Sequence, residues 1–342
     1  MFNVKTVFVV GAGGSKEVGL PIGDGLRDRI GDKLRIGTDR MSNISSGDSD
    51  ILDALRYLNR ESDGRIPKYY FDLANSISRA MPQAISIDNY LHFHSRNPKL
   101  VEVGKLGIAA SILEAEASSS IATENQRPID FRTVGDSWHN TFCKMLTEGV
   151  TSDDVHSMFD NVSFITFNYD RVIEHFVCQW LCAYLRVDMS AAQILTRRLQ
   201  VIHPYGTVGA LPWQGVEPVI GYGQRVETAD LIAASRSIRT FTEGSNEPQI
   251  DSQIHDVLSA AERVVFLGFS YLPLNLQLLN VQSMGPTKTV FGTSLGMSRQ
   301  AKQAATEDIK RSLSVAIGHP GKIEFSDQTC NDFLKDYWRA IL

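Results

Sequence analysis

Residues 4–10 form an apolar run, β-branched and aromatic, that ends abruptly in Gly11-Ala12-Gly13-Gly14-Ser15. The run lacks polar/apolar alternation. A strand that is apolar on both faces belongs inside a sheet covered on both sides, the usual setting of a parallel sheet. Further strand-like runs lie at 162–167, 199–203, 218–222, 263–269, 287–292 and 315–325, with helical patterns between several of them. Strand and helix in alternation predict an α/β fold, a Rossmann-like parallel sheet with right-handed crossovers.

Between about residues 20 and 160 the pattern changes to helical stretches at 50–60, 69–80, 100–117 and 131–146. Segments 38–48 and 118–127 are rich in Ser, Asn, Asp or Thr and read as surface loops. With 342 residues and 43% hydrophobic content, the chain can bury a sizeable core. The expected organisation is one domain, 1–342, with a large helical insertion over 22–158 after the first strand.

A net charge of -5 and no Lys/Arg cluster interleaved with aromatics argue against direct nucleic-acid binding. No stretch approaches the ~20 apolar residues of a membrane span, and the first apolar run is only a strand long, unlike a signal peptide. A cytoplasmic protein without membrane contact is expected. The 4 cysteines include no C-x-x-C pair, so no structural metal site is expected. Cys178 and Cys182, one helical turn apart, fit one buried helix face.

Three strand ends carry polar or small groups: Gly11 to Ser15, Thr166-Phe167-Asn168-Tyr169-Asp170, and His203. Ligands of open α/β sheets bind outside the carboxyl ends of strands, so these ends suggest one composite nucleotide site. Glycines allow a tight turn, and exposed N–H groups with Ser15 could hold a pyrophosphate. Lys16 at the sixth position breaks the G-x-G-x-x-G fingerprint, which argues against a hydride-carrier site, and Walker A is absent. Asn168 and Asp170 alternate with Phe167 and Tyr169 and so could project together, or one could cap a helix starting near Arg171. His203, ahead of the turn-forming Pro204-Tyr205-Gly206-Thr207, is either a base working near neutral pH or a histidine bonded to loop backbone. Gly268-Phe269-Ser270, followed by Asn275, and Gly292-Thr293-Ser294 are competing candidates for the far end of a nucleotide.

Taken in order, these segments resemble the sirtuin family, especially its zinc-less branch in bacterial anti-phage defence proteins. Gly11-Ala12-Gly13-Gly14-Ser15 is similar to the family's G-A-G-x-S loop, and Gly19-Leu20-Pro21 to its G-I-P. Thr166 to Asp170 matches T-x-N-x-D, His203 stands where the family has its catalytic histidine, and Gly268 to Ser270 looks like its G-x-S. The resemblance implies a Rossmann-like domain that takes NAD as substrate. Gly11, Ala12, Gly13 and Ser15 would line the pyrophosphate, with Pro21 and Thr166 beside the nucleotide. Asn168 would position the nicotinamide ribose, Asp170 would bond the carboxamide and His203 would act as base. Gly268, Ser270 and Asn275 would hold the adenosine end.

Four departures stand out. The paired C-x-x-C zinc module of sirtuin deacylases is missing, P-D-F-R is replaced by Pro21-Ile22-Gly23-Asp24, Phe167 replaces a Gln, and His-Gly is opened to His203-Pro204-Tyr205-Gly206. Deacylation is therefore not expected. The resemblance implies instead an NAD glycohydrolase releasing nicotinamide and ADP-ribose, an NAD-depleting effector controlled by a regulatory protein partner or by homo-oligomerisation. The alternatives are a non-catalytic sensor of NAD or ADP-ribose and an ADP-ribosyl transferase.

Overall fold

The computed structural model describes residues 1–39, 44–59, 65–123, 128–244, 247–281, 285–313 and 321–342. Its strands, in chain order, are β1 (Thr6–Val10), β2 (Gly37–Thr38), β3 (Ile44–Ser46), β4 (Val162–Thr166), β5 (Gln200–Ile202), β6 (Arg263–Leu267), β7 (Thr289–Thr293) and β8 (Ile323–Ser326). Six of them form one sheet in the order β5-β4-β1-β6-β7-β8, and every neighbouring pair is parallel. Counted among themselves along the chain, these strands run 3-2-1-4-5-6, the doubly wound order of dinucleotide-binding folds. The chain has a Rossmann-like α/β fold.

The unalternating first run is explained by the two layers that cover the sheet. Val7, Val9, Ile165, Val264 and Phe266 pack into the core on one face, and Phe8, Val10, Phe164, Val265 and Leu267 into the core on the other. Removing each such side chain from water is worth about 1.5–3 kcal/mol, which makes the central strands the most strongly specified part of the sheet. β1 bonds β4 on one side and β6 on the other, with Val10 opposite both Thr166 and Leu267. Their carboxyl ends therefore lie level, where the strand order reverses.

Helices fill most of the chain between β1 and β4. The helix Pro98–Ala117 is its centre and packs against Gly23–Lys33, Lys68–Ala80 and Thr228–Ser237. Residues 37–46 hold a small antiparallel pair, β2 with β3, in place of part of the loop expected at 38–48, though residues 40–43 lie outside the described residues, as do 124–127 of the loop expected at 118–127. Among the described residues, no helix is long and apolar enough to cross a membrane.

Two local expectations are corrected. Residues 218–222 form no strand, only an isolated bridge between Ala210 and Val219. Pro218 has no N–H for a ladder, and the Ile220 carbonyl is taken by the Arg171 guanidinium. The helix expected from residue 131 begins at Trp138, where Ser137 accepts from Asn140 N as its cap. Residues 131–136 are turns, started by Asp130, which accepts from Arg132 N. The last strand starts at Ile323, and residues 314–320 of the run expected there lie outside the described residues.

Candidate functional site

The loops after β1 and β6 meet almost backbone to backbone. Gly268 has φ +56°, and a Cβ there would lie 2.1 Å from Gly14 N and 2.2 Å from Gly13 C. A Cβ on Gly13 would lie 2.7 Å from Gly268 Cα, so both positions exclude a side chain by close approach. The contact is hydrogen-bonded as well. Gly11 N donates to Leu267 O at 3.0 Å, Gly13 N to Gly268 O at 3.0 Å and Gly14 N to Gly11 O at 2.8 Å. These three amides thus face inward, which corrects the expectation that they form an open phosphate cradle; Ala12 is the loop's exposed residue.

The loop after β4 enters the same space. Asn168 Nδ2 donates to Gly11 O at 3.1 Å and to Ser15 Oγ at 2.9 Å. Ser15 Oγ in turn donates to Asp170 Oδ2 at 2.9 Å. The alternation across Tyr169 brings Asn168 and Asp170 onto one hydroxyl. Asp170 also takes the capping part, since its Oδ1 accepts from Val172 N at 3.2 Å at the start of the helix Val172–Leu185. Thr166 Oγ1 accepts from Asn168 N at 3.3 Å and braces the turn. Burial, aided by the negative charge of Glu116, pushes the Asp170 carboxyl up to about 6.

His203 lies just past β5 with its side chain 10% exposed. Its Nδ1 is 3.1 Å from the Asn168 carbonyl oxygen and its Nε2 is 2.9 Å from Glu174 Oε1. Burial works against a charged ring here. The Glu174 carboxylate, the Asn168 carbonyl and Asp170 overcome that cost and raise His203 above the ordinary histidine value. Burial likewise pushes Glu174 up, yet the facing His203 holds it below the usual carboxylate range. The inserted Pro204-Tyr205 is absorbed in a tight turn, in which Gly206 N donates to His203 O at 3.0 Å with Gly206 at φ +68°.

No protein-family model and no curated protein matches this chain. Among solved structures it is similar to a Sir2 homolog in complex with NAD, with 12% identity and a TM-score of 0.42 over 99% of this chain and 90% of that one. It is also similar to a Sir2 in complex with an inhibitor, 2'-O-acetyl-ADP-ribose and a deacetylated peptide, with 12% identity and a TM-score of 0.37 over 99% of this chain and 94% of that one. Likeness at this level assigns neither a family nor an activity.

Aromatic rings wall the site towards β6. Phe167 lies 5.5 Å from Tyr205 and 5.3 Å from Phe269, so a ring packs where the resembling family carries a Gln. Tyr205 donates to Asn275 Oδ1 at 2.6 Å, tying Asn275 to the turn after His203. Of the two candidates for the far end, Ser270 is exposed, whereas Ser294 is buried and donates to Asp327 at 3.1 Å. Thr293 braces the junction by accepting from Gly268 N at 2.8 Å. Pro21 is half-buried, two residues ahead of the helix Gly23–Lys33.

Several residues around the site carry no motif. Glu174 stands one helical turn after Asp170 in a largely apolar helix, and a carboxylate in that setting is its only signal in the sequence. Arg171 and Glu116 form an ion pair in which both side chains are fully buried. Arg171 Nε donates to Glu116 Oε1 at 3.2 Å, and Arg171 N donates to the same oxygen at 3.0 Å. Tyr169 bonds Asp88 from the helix Ile87–Phe93. Trp138 Nε1 donates to Gly14 O at 2.6 Å. Asp88, Glu116 and Trp138 all come from the helical segment between β1 and β4.

Proposed function

We propose that the chain is an NAD glycohydrolase. The observation that carries this reading is the meeting of Ser15, Asn168, Asp170 and His203 at the carboxyl ends of β1, β4 and β5, beside the point where a 3-2-1-4-5-6 sheet reverses its order. The resemblance of the motifs to the sirtuin family supplies the substrate class. In the reaction the bond between the ribose anomeric carbon and nicotinamide breaks, and its electron pair leaves with nicotinamide. A water oxygen then bonds that carbon and loses a proton, giving ADP-ribose.

Each side chain has a part that fits its surroundings. The amide hydrogens of Asn168 are spent on Gly11 and Ser15, so its carbonyl oxygen is the group offered to a ribose hydroxyl. Asp170 offers a carboxylate to the carboxamide. Bond cleavage builds positive charge on the ribose, and a fixed carboxylate nearby stabilises that charge. The side-chain-poor loop Gly11 to Gly13, with Ala12 exposed, would lie against the pyrophosphate without using the inward-facing amides of Gly11 and Gly13, with Ser270 and Asn275 at the adenosine end.

On this reading residues 1–342 form one NAD-binding domain with a helical insertion over 22–158. The chain would serve as an NAD-depleting anti-phage effector in the cytoplasm, gated by a regulatory partner or by self-association. A second reading, a sensor that holds NAD or ADP-ribose without turnover, is favoured by one observation: both ring nitrogens of His203 are engaged inside the protein. ADP-ribosyl transfer would show instead as label carried from NAD onto a macromolecule. Nicotinamide release from NAD, measured with binding for wild type, Asn168→Ala and His203→Ala, separates the readings. Release by wild type that drops at least about 100-fold in Asn168→Ala is expected of the hydrolase. Tight binding without release selects the sensor, and variants as fast as wild type would sink the assignment of the site.

A further inference from the structure

The hydrogen bonds of His203 fix how many protons it shares. A backbone carbonyl can only accept, so Nδ1, 3.1 Å from Asn168 O, carries a hydrogen. One more proton then lies between Nε2 and Glu174 Oε1 across 2.9 Å. Either the ring is an imidazolium facing a carboxylate, or it is neutral and faces a carboxylic acid. The charged groups around the pair decide between the two. Asp170 adds negative field at the ring, and Arg171, itself paired with Glu116, favours the ionised form of Glu174.

We propose that Glu174 is a positioning residue that holds His203 as an imidazolium, with Nε2–H on Glu174 and Nδ1–H on the Asn168 carbonyl. The ring then has no lone pair for a ribose hydroxyl or a water. Its work is to fix the backbone of Asn168, and through it the turn that presents Asn168 and Asp170. Glu174 is suited to this because it is only 5% exposed, so solvent offers the carboxylate little competition for the ring. The consequence for catalysis rests on the NAD-cleaving reading; the protonation state of His203 does not.

The test is an NMR titration of the imidazole nitrogens in full-length protein labelled with 15N-histidine, His203 being assigned by loss of its signals in His203→Gln. In wild type both ring nitrogens are expected to be protonated at neutral pH, with a midpoint above that of free histidine. In Glu174→Gln, which keeps an acceptor but removes the charge, the proton should leave at least tenfold more readily, a fall of about one pH unit. Glu174→Asp should recover part of that fall. A His203 that is neutral at neutral pH in wild type overturns the proposal, as does an unchanged midpoint in Glu174→Gln. If Glu174→Gln does not fold, the wild-type titration still decides. Nicotinamide release on the same samples keeps the two readings apart: absent release with the expected titration sinks the hydrolase alone, and release with an unshifted titration sinks the role of Glu174 alone.

Discussion

Tyr169 and Asp88 stand 81 positions apart in the chain and share a hydrogen bond beside the site. Tyr169 belongs to the turn between Asn168 and Asp170, whereas Asp88 belongs to a helix inserted between the first two strands of the sheet. The turn with the densest chemistry is therefore held from both directions, by His203 on the sheet side and by Asp88 on the helical side. Glu116 and Trp138 add two further ties from the same segment, one to Arg171 and one to Gly14.

The junction of the two glycine loops leaves no room for a methyl group. Gly268→Ala would add left-handed strain and a collision with Gly13 and Gly14, and a loss of roughly 3 kcal/mol is expected. Chemical denaturation measures it. A variant within about 0.5 kcal/mol of wild type would mean that the loops do not meet as described.

Ionising Asp170 costs the fold. Its folded value of about 6 lies above the ordinary 3.8, so the native state binds the proton more tightly than the unfolded chain does. Its stabilising contribution is present at pH below 3.8 and is lost as pH rises through about 6, a difference of about 3 kcal/mol at 1.36 kcal/mol per unit. Asp170→Asn should remove this fall. Unfolding free energies of the two proteins, measured across that window, are expected to differ by an amount that grows with pH.

His139 has the opposite sign. It lies 4.0 Å from Trp138 and 5.4 Å from Phe176, with both ring nitrogens buried and without hydrogen-bond partners. Burial lowers its value from 6.5 to about 3, so the unfolded chain takes the proton first and stability is lost as pH falls below 6.5. Relative to wild type, His139→Phe should gain about 3 kcal/mol between neutral pH and about pH 4. A constant difference across that range would show that His139 takes its proton in the native state as readily as in the unfolded chain.

The Arg171–Glu116 pair is buried too deeply for either partner to stand alone. Glu116→Gln should cost about 3–5 kcal/mol, because it strands the guanidinium charge away from water. Replacing both residues with Met should recover only part of that loss, because the Ile220 carbonyl and the Arg171 N–H then lose their partners. A double-mutant cycle by thermal or chemical unfolding reads the coupling, and a Glu116→Gln protein as stable as wild type would contradict the pairing.

Legibility followed burial. β1, β4 and β6 could be read because strands covered on both faces are apolar at nearly every position, so Val7 to Val10 and Phe164 to Ile165 leave no room for another reading. The stretch 218–222 misled because Ile220 and Tyr222 are buried as loop residues, without a ladder. The sequence places the start of helix 138–147 at residue 131 because Val134 is buried in a turn at a spacing that mimics a helix. At the site, Ser15, Asn168, Asp170 and His203 sit in local motifs and were visible. Asp88, Glu116 and Glu174 were not, since each derives its role from a partner that only the fold brings near.

The order of the sheet also says something about synthesis. β1 is at the centre of the sheet, yet it leaves the ribosome before the sheet's other strands, and its two neighbours begin only at Val162 and Arg263. Until those segments emerge, a strand with both edges unpaired and both faces apolar must wait, covered at best by the nascent helices that follow it. Long-range parallel pairing is slow and exposes such edges to other chains. The helices between β1 and β4 thus stand, in the order of birth, as the first available shelter for the strand on which the whole sheet is later assembled.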